Sequence, residues 1–233
     1  MNHSVTKKSW LLLTVLGLIW GSTFMIIELA LKGVTPFWLA AARISIAAVI
    51  TNIIWFFSKK QLFQTQSKDW PTLIFSGVLA TAAPFIALSW GQQYVTSAFA
   101  GISMASVALL VLPLSYLFVT SEKITTTTVI GIFCGFCGVF ILLGPEVFMA
   151  SNDAREKYGR LACLFATFCY ATSAVLTRRL PPIDPIGLAA VSLTSGAIFV
   201  IPAAWLIEGG PPIVSKQTLF YLFILGIFPT AAA

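Results

Sequence analysis

Charge and histidine are both scarce in this chain. His3 is the sole histidine and cannot anchor a metal site by itself, and only 9% of the residues are charged. Soluble domains carry roughly 25% charged residues, so this chain has too few to coat a water-facing surface. Acidic residues are the rarer sign, with 8 Asp and Glu against 14 Lys and Arg and a formal net charge of +6. The basic surplus is scattered through short loops between apolar runs, where it acts as a topology signal rather than a nucleic-acid patch. Nucleic acid is therefore not an expected partner.

Cysteine is also sparse. Cys134, Cys137, Cys163 and Cys169 all fall inside apolar segments. The C-x-x-C of Cys134 and Cys137 lies where a thiolate would be poorly stabilised, so packing is the expected role. An intramembrane enzyme would need a nucleophile–base pair or metal ligands, and no histidine stands in an apolar segment and no H-E-x-x-H occurs, which argues against one. A G-x-x-x-x-G-K-[ST] phosphate loop is missing as well, so ATP hydrolysis is not expected. No metal or cofactor is implied.

What the chain has is apolar length: 58% of its 233 residues are hydrophobic. About 20 consecutive apolar residues cross the ~30 Å hydrocarbon core as a helix, because a helix satisfies its own backbone hydrogen bonds. Seven such stretches are legible: 10–31, 36–57, 71–90, 97–119, 126–143, 161–177 and 186–207. Leu219 opens part of an eighth. Gly144-Pro145 stops the fifth, and a charged loop with Glu146, Asp153, Arg155, Glu156, Lys157 and Arg160 follows. Lys7 and Lys8 precede the first stretch as in a signal peptide, but the apolar region is too long and no small-x-small site follows. The predicted fold class is an all-α polytopic membrane protein.

The basic loops favour a cytoplasmic N-terminus. One side would hold Lys7, Lys8, Lys59, Lys60, Lys68, Lys123, Arg178 and Arg179, and the other Lys32, Arg155, Lys157, Arg160 and Lys216. The expected location is the cell membrane, with a bacterial inner membrane the natural setting. The expected partners are the lipid bilayer and a small-molecule substrate, with a homodimer left open.

The chain also resembles itself. Gly77-Val-Leu-Ala-Thr-Ala-Ala83 is matched by Gly226-Ile-Phe-Pro-Thr-Ala-Ala232 (226 − 77 = 149), and Pro36 with Leu39-Ala40-Ala41 by Pro185 with Leu188-Ala189-Ala190. One residue further apart, Trp20-Gly21-Ser22-Thr23 meets Tyr170-Ala171-Thr172-Ser173. A near-constant offset through successive helices predicts two repeats, residues 1–148 and 149–233. Five helices per repeat is odd, so the second copy would cross the membrane in the opposite sense, an architecture of secondary transporters. On this reading Ala233 aligns with Pro84 (233 − 149 = 84), and the second copy stops in its third helix. About seven and a half of ten helices would be present, and the chain would be a fragment.

Taken in order, Trp20-Gly21-Ser22-Thr23-Phe24, Pro36, Arg43, Pro113, Glu122 and the glycines Gly131, Gly135 and Gly138 resemble the EamA-type branch of the drug/metabolite transporter superfamily. The resemblance implies ten helices in two inverted five-helix repeats, and export or exchange of small polar metabolites or drugs. Glu28 departs from it, because the family more often has a basic residue there.

Arg43 and Glu28 stand out among the residues themselves. An ionised side chain inside a bilayer costs at least about 2.5–3.5 kcal/mol, so it needs a partner or an aqueous cavity. Their depths along two neighbouring helices differ by about 6 Å, within reach of two long side chains. They either line or gate the substrate path, form a structural ion pair, or snorkel outward. Trp20, Ser22 and Thr23, placed mid-membrane, complete the set of substrate-path candidates. Trp90 and Tyr94 read as interface anchors. Ser97, Gly101 and Ala105, with Gly131 and Gly135, read as stripes for close helix packing. The predicted function is secondary transport of amino-acid-like compounds or drugs by alternating access. The alternative is a truncated membrane protein that is inactive or needs a partner chain.

Overall fold

The computed structural model describes residues 7–58, 62, 67–118, 125–143 and 154–232. These form helices only: α1 (Lys7–Ala30), α2 (Pro36–Ser58), α3 (Trp70–Ala80), α4 (Ala82–Gly91), α5 (Ser97–Phe118), α6 (Thr126–Leu143), α7 (Ala154–Arg178), α8 (Pro185–Glu208) and α9 (Lys216–Gly226). A 3-10 turn (Ser67–Asp69) precedes α3, and a π-helical segment (Ile227–Ala232) continues α9. Six segments are long and apolar enough to cross a membrane, counting α3 and α4 as one, and α6 is a shorter apolar helix. The chain is an all-α polytopic membrane protein.

The third predicted span is broken rather than continuous. Pro84 has no N–H, and its ring crowds the carbonyl four residues back, at Ala80. Thr81 accordingly leaves helical geometry (φ −131°, ψ −76°) between α3 and α4. A second proline disturbs the last span. Pro229 cannot bond the carbonyl of Leu225, and the Thr230 hydroxyl donates to that carbonyl instead, at 2.6 Å. The span continues as a π-helix, in which pairing shifts by one residue.

Three helix starts differ from the sequence reading, the first being α1, which begins at Lys7 rather than Trp10. The sixth span begins at Ala154 rather than near Leu161, so Arg155, Glu156, Lys157 and Arg160 lie on helix. Charge does not stop a helix in water, and Glu156 with Arg160 one turn on forms a favourable ion pair. The last span begins at Lys216 rather than Leu219, because Ser215 caps it by accepting from the Thr218 N–H at 3.1 Å. His3, Lys59, Lys60, Glu122, Lys123, Gly144, Pro145, Glu146 and Asp153 lie outside the described residues.

The centre of the bundle is the pairing of α2 with α8. Ala40, Ala41, Ile44, Ala47 and Ala48 of α2 meet Leu193, Val200 and Ala204 of α8, with Ala82 and Phe85 of α4 alongside. Small side chains let the two backbones approach, which replaces the missing hydrophobic drive between helices in lipid. α7 packs across α3, α4 and α5, and α9 packs on α1 and α2. The predicted packing stripes are met only in part. Gly101 sits against Phe24 and Gly135 against Leu109, while Gly131 faces open space and Ala105 is exposed.

Candidate substrate path

Arg43 lies about two turns into α2, with 3% of its surface exposed. Its Nε and Nη2 both donate to the Thr230 hydroxyl, at 3.2 and 2.9 Å. The guanidinium carbon stands 3.9 Å from the centroid of the Phe85 ring, a cation–π contact. Phe85 in turn packs against Tyr170 of α7, with ring centroids 6.3 Å apart. Arg43 thus joins residues from α2, α4, α7 and the π-helical segment.

Thr230 is chemically saturated. A hydroxyl has one donor and two acceptor lone pairs; its donor goes to Leu225 and its acceptors to Arg43. The proline that interrupts the last helix therefore indirectly supplies the contact for Arg43.

The positions 149 residues away also touch, through different groups and with the hydrogen bond reversed. Thr81, the counterpart of Thr230, donates to the Gly77 carbonyl at 2.7 Å and to the Ser192 carbonyl at 3.3 Å. Ser192 is 149 residues beyond Arg43 (192 − 43 = 149). The glycines agree: a Cβ on Gly226 would meet Ile46 and the Arg43 carbonyl, and one on Gly77 would meet Ser192 and Ser195. Only one of the two equivalent positions on α2 and α8 carries a cation.

The other sequence candidates do not converge on Arg43. Glu28 is exposed on α1, and no ion pair joins it to Arg43. The ion-pair reading of these two residues is thereby corrected: the turn of α1 presents Glu28 outward while α2 buries Arg43 against Phe85 and Thr230. Ser22 and Thr23 donate to the Ile19 carbonyl at 3.0 and 2.8 Å, spending their hydroxyls on their own helix. Trp20 is 52% exposed. Tyr170, 150 residues further along the sequence, is the aromatic that reaches the Arg43 cluster.

A separate apolar groove of about 460 Å³ lies between α2, α4 and α7, lined by Phe37, Ala83, Ile86, Ala87, Trp90 and Phe165. Trp90 lines it while stacking edge-on with Tyr94 at 5.1 Å. Gln92 is 5% exposed, and its Nε2 donates to the Phe24 carbonyl at 2.8 Å, tying α4 to α1.

Sequence reading missed Glu208 altogether. At the end of α8 its carboxylate accepts from the Thr35 hydroxyl and from the backbone N–H groups of Phe37 and Trp38, both at 3.2 Å. Trp38 Nε1 donates to the Gly209 carbonyl at 3.1 Å, and the Trp38 and Trp205 rings meet edge-on at 6.0 Å. The acid lies one residue beyond the apolar run 186–207, where hydropathy gives it no role. Only the approach of α8 to the start of α2 makes it a cap.

The family model for the EamA-like transporter family matches residues 7–144 and 157–233. The transporter YoaV of Bacillus subtilis is 25% identical over 91% of this chain and 72% of its own length. A transporter of Archaeoglobus fulgidus is 28% identical over 95% of this chain and 76% of its own length. A crystal structure of a protein with 19% identity superposes over 98% of this chain and 77% of that one, with a TM-score of 0.69, a likeness of fold. With the match covering most of its residues and its apolar helices packed as described, this chain belongs to the EamA-like transporter family.

Proposed function

We propose that this membrane transporter is a secondary transporter, without enzymatic activity, that exports or exchanges small metabolites across the cell membrane by alternating access. Residues 1–148 and 149–233 act as two inverted repeats that rock about the α2–α8 contact, with the N-terminus in the cytoplasm. The observation that carries the reading is the Arg43–Thr230 contact, in which a buried cation of the first repeat is held by the interrupted helix of the second. Interrupted helices facing each other at the junction of repeats are where transporters of this architecture place their substrate sites. The contacts repeated at an offset of 149, Thr230 with Arg43 and Thr81 with Ser192, and the two matched segments support the division into repeats.

The test is efflux from proteoliposomes containing the full chain and loaded with a panel of small metabolites, including amino acids and cationic dyes. Saturable release of at least one compound, lost in Arg43→Gln at equal insertion, is the expected result. Release of no panel member by correctly inserted, monodisperse protein would overturn the reading.

A further inference from the structure

Arg43 is a cation without a counter-ion among the described residues. Every described carboxylate is placed elsewhere: Glu156 pairs with Arg160, Asp184 caps α8, Glu208 caps α2, Glu28 is exposed and Asp69 stands at the start of α3. Of the five guanidinium N–H groups, two go to Thr230, which leaves three with no acceptor among the described residues. Thr230 has no lone pair left to take a third, and Phe85 offers only a ring face.

Nη1 makes no hydrogen bond to any described residue, so the edge of the guanidinium away from Thr230 is unanswered among them. A membrane-buried cation with donors to spare and one face covered by an aromatic ring is a receptor for an anion. The fork of parallel N–H groups fits the two oxygens of a carboxylate or phosphate.

We propose that Arg43, seated on Phe85 and oriented by Thr230, binds the anionic group of the transported molecule, so that the substrates are small organic carboxylates or phosphates. Tyr170, packed behind Phe85, keeps that ring in place. The assignment rests on the transporter reading above and deepens it. Neutral compounds gain nothing from the buried charge, and cations are repelled by it.

The experiment measures binding to the full chain in lipid nanodiscs, using matched probes that differ only in charge. The pairs are acetate with acetamide, lactate with lactamide, and phenylacetate with phenylacetamide; phenyl phosphate and inorganic phosphate form the phosphate arm. At least one anion is expected to bind ten-fold or more tighter than its neutral partner, and Arg43→Gln is expected to abolish that preference. Arg43→Lys, which keeps the charge but loses the fork, should retain the preference while weakening binding several-fold, and it guards against a Gln variant that fails to fold. Which arm binds tighter distinguishes a carboxylate from a phosphate substrate.

The proposal is overturned if no anion outbinds its neutral partner, or if the preference survives unchanged in Arg43→Gln. Saturable efflux of neutral or cationic compounds, insensitive to Arg43→Gln, would overturn the anion site while leaving the transporter reading in place. Absence of efflux for every compound, anions included, would overturn the transporter reading itself.

Discussion

Glu208 and Trp38 stand 170 residues apart in sequence, yet the Glu208 carboxylate accepts the Trp38 backbone N–H at 3.2 Å. The first N–H groups of a helix have no partner within it, and α2 borrows its cap from the end of α8. Its negative charge also complements the positive end of the α2 dipole. The contact fastens the two central helices at one end of the bundle.

Replacing Glu208 should loosen that end. Glu208→Ala removes the acceptor of two backbone donors and a hydroxyl, and is expected to cost about 1–2 kcal/mol. Glu208→Gln keeps one acceptor oxygen and should cost less. Thermal unfolding of the detergent-solubilised protein would show the order wild type, Gln, Ala. Identical midpoints for wild type and Ala would contradict the cap.

Arg43 should be intolerant of even conservative change in transport. Lys offers a compact point charge in place of a planar fork and cannot hold Thr230 with two N–H groups while stacking on Phe85. Initial efflux rates normalised to inserted protein are expected to fall about ten-fold or more in Arg43→Lys and further in Arg43→Ala, consistent with loss of charge-assisted hydrogen bonds worth ~1.5–3 kcal/mol. Normal rates in both variants would remove Arg43 from the substrate path.

The glycines separate into two classes. A Cβ on Gly77 would lie 2.7 Å from the Ser192 Cα, so α3 and α8 would have to part; Gly77→Ala is expected to destabilise by about 1–3 kcal/mol. Gly131 has nothing within 4 Å, and Gly131→Ala should be neutral or stabilising by up to about 1 kcal/mol through helix propensity. Comparing the two midpoints by fluorescence-detected thermal unfolding checks both; equal effects would contradict the packing.

Glu28 is exposed on α1 and bonds no described residue. Glu28→Gln should therefore change stability by no more than about 0.5 kcal/mol and leave Arg43-dependent efflux intact. A loss of efflux matching that of Arg43→Gln would restore a functional link between the two.

Most of the fold was legible in order and kind. The apolar runs at 36–57, 97–119 and 126–143 became α2, α5 and α6 within a residue or two, because membrane helices are dictated locally by length and hydropathy. The charged start of α7 was not, since hydropathy marks where a helix leaves the membrane and not where it ends. Pro84 and Pro229 stand inside apolar runs of the sequence. What their released geometry does, breaking at Thr81 and aiming Thr230 at Arg43, depends on which helix lies alongside.

The sequence by itself determined that the chain is a polytopic helical membrane protein, that it carries an internal offset near 149, and that Arg43 is a buried cation in need of an answer. Tertiary structure alone decided what answers it: Thr230, Phe85 and Tyr170 rather than Glu28, with Glu208 turned to capping α2. The reason is physical. Burial in lipid is a property of a single segment, whereas pairing depends on which faces of distant helices meet, and one apolar helix face differs little from another until the bundle is assembled.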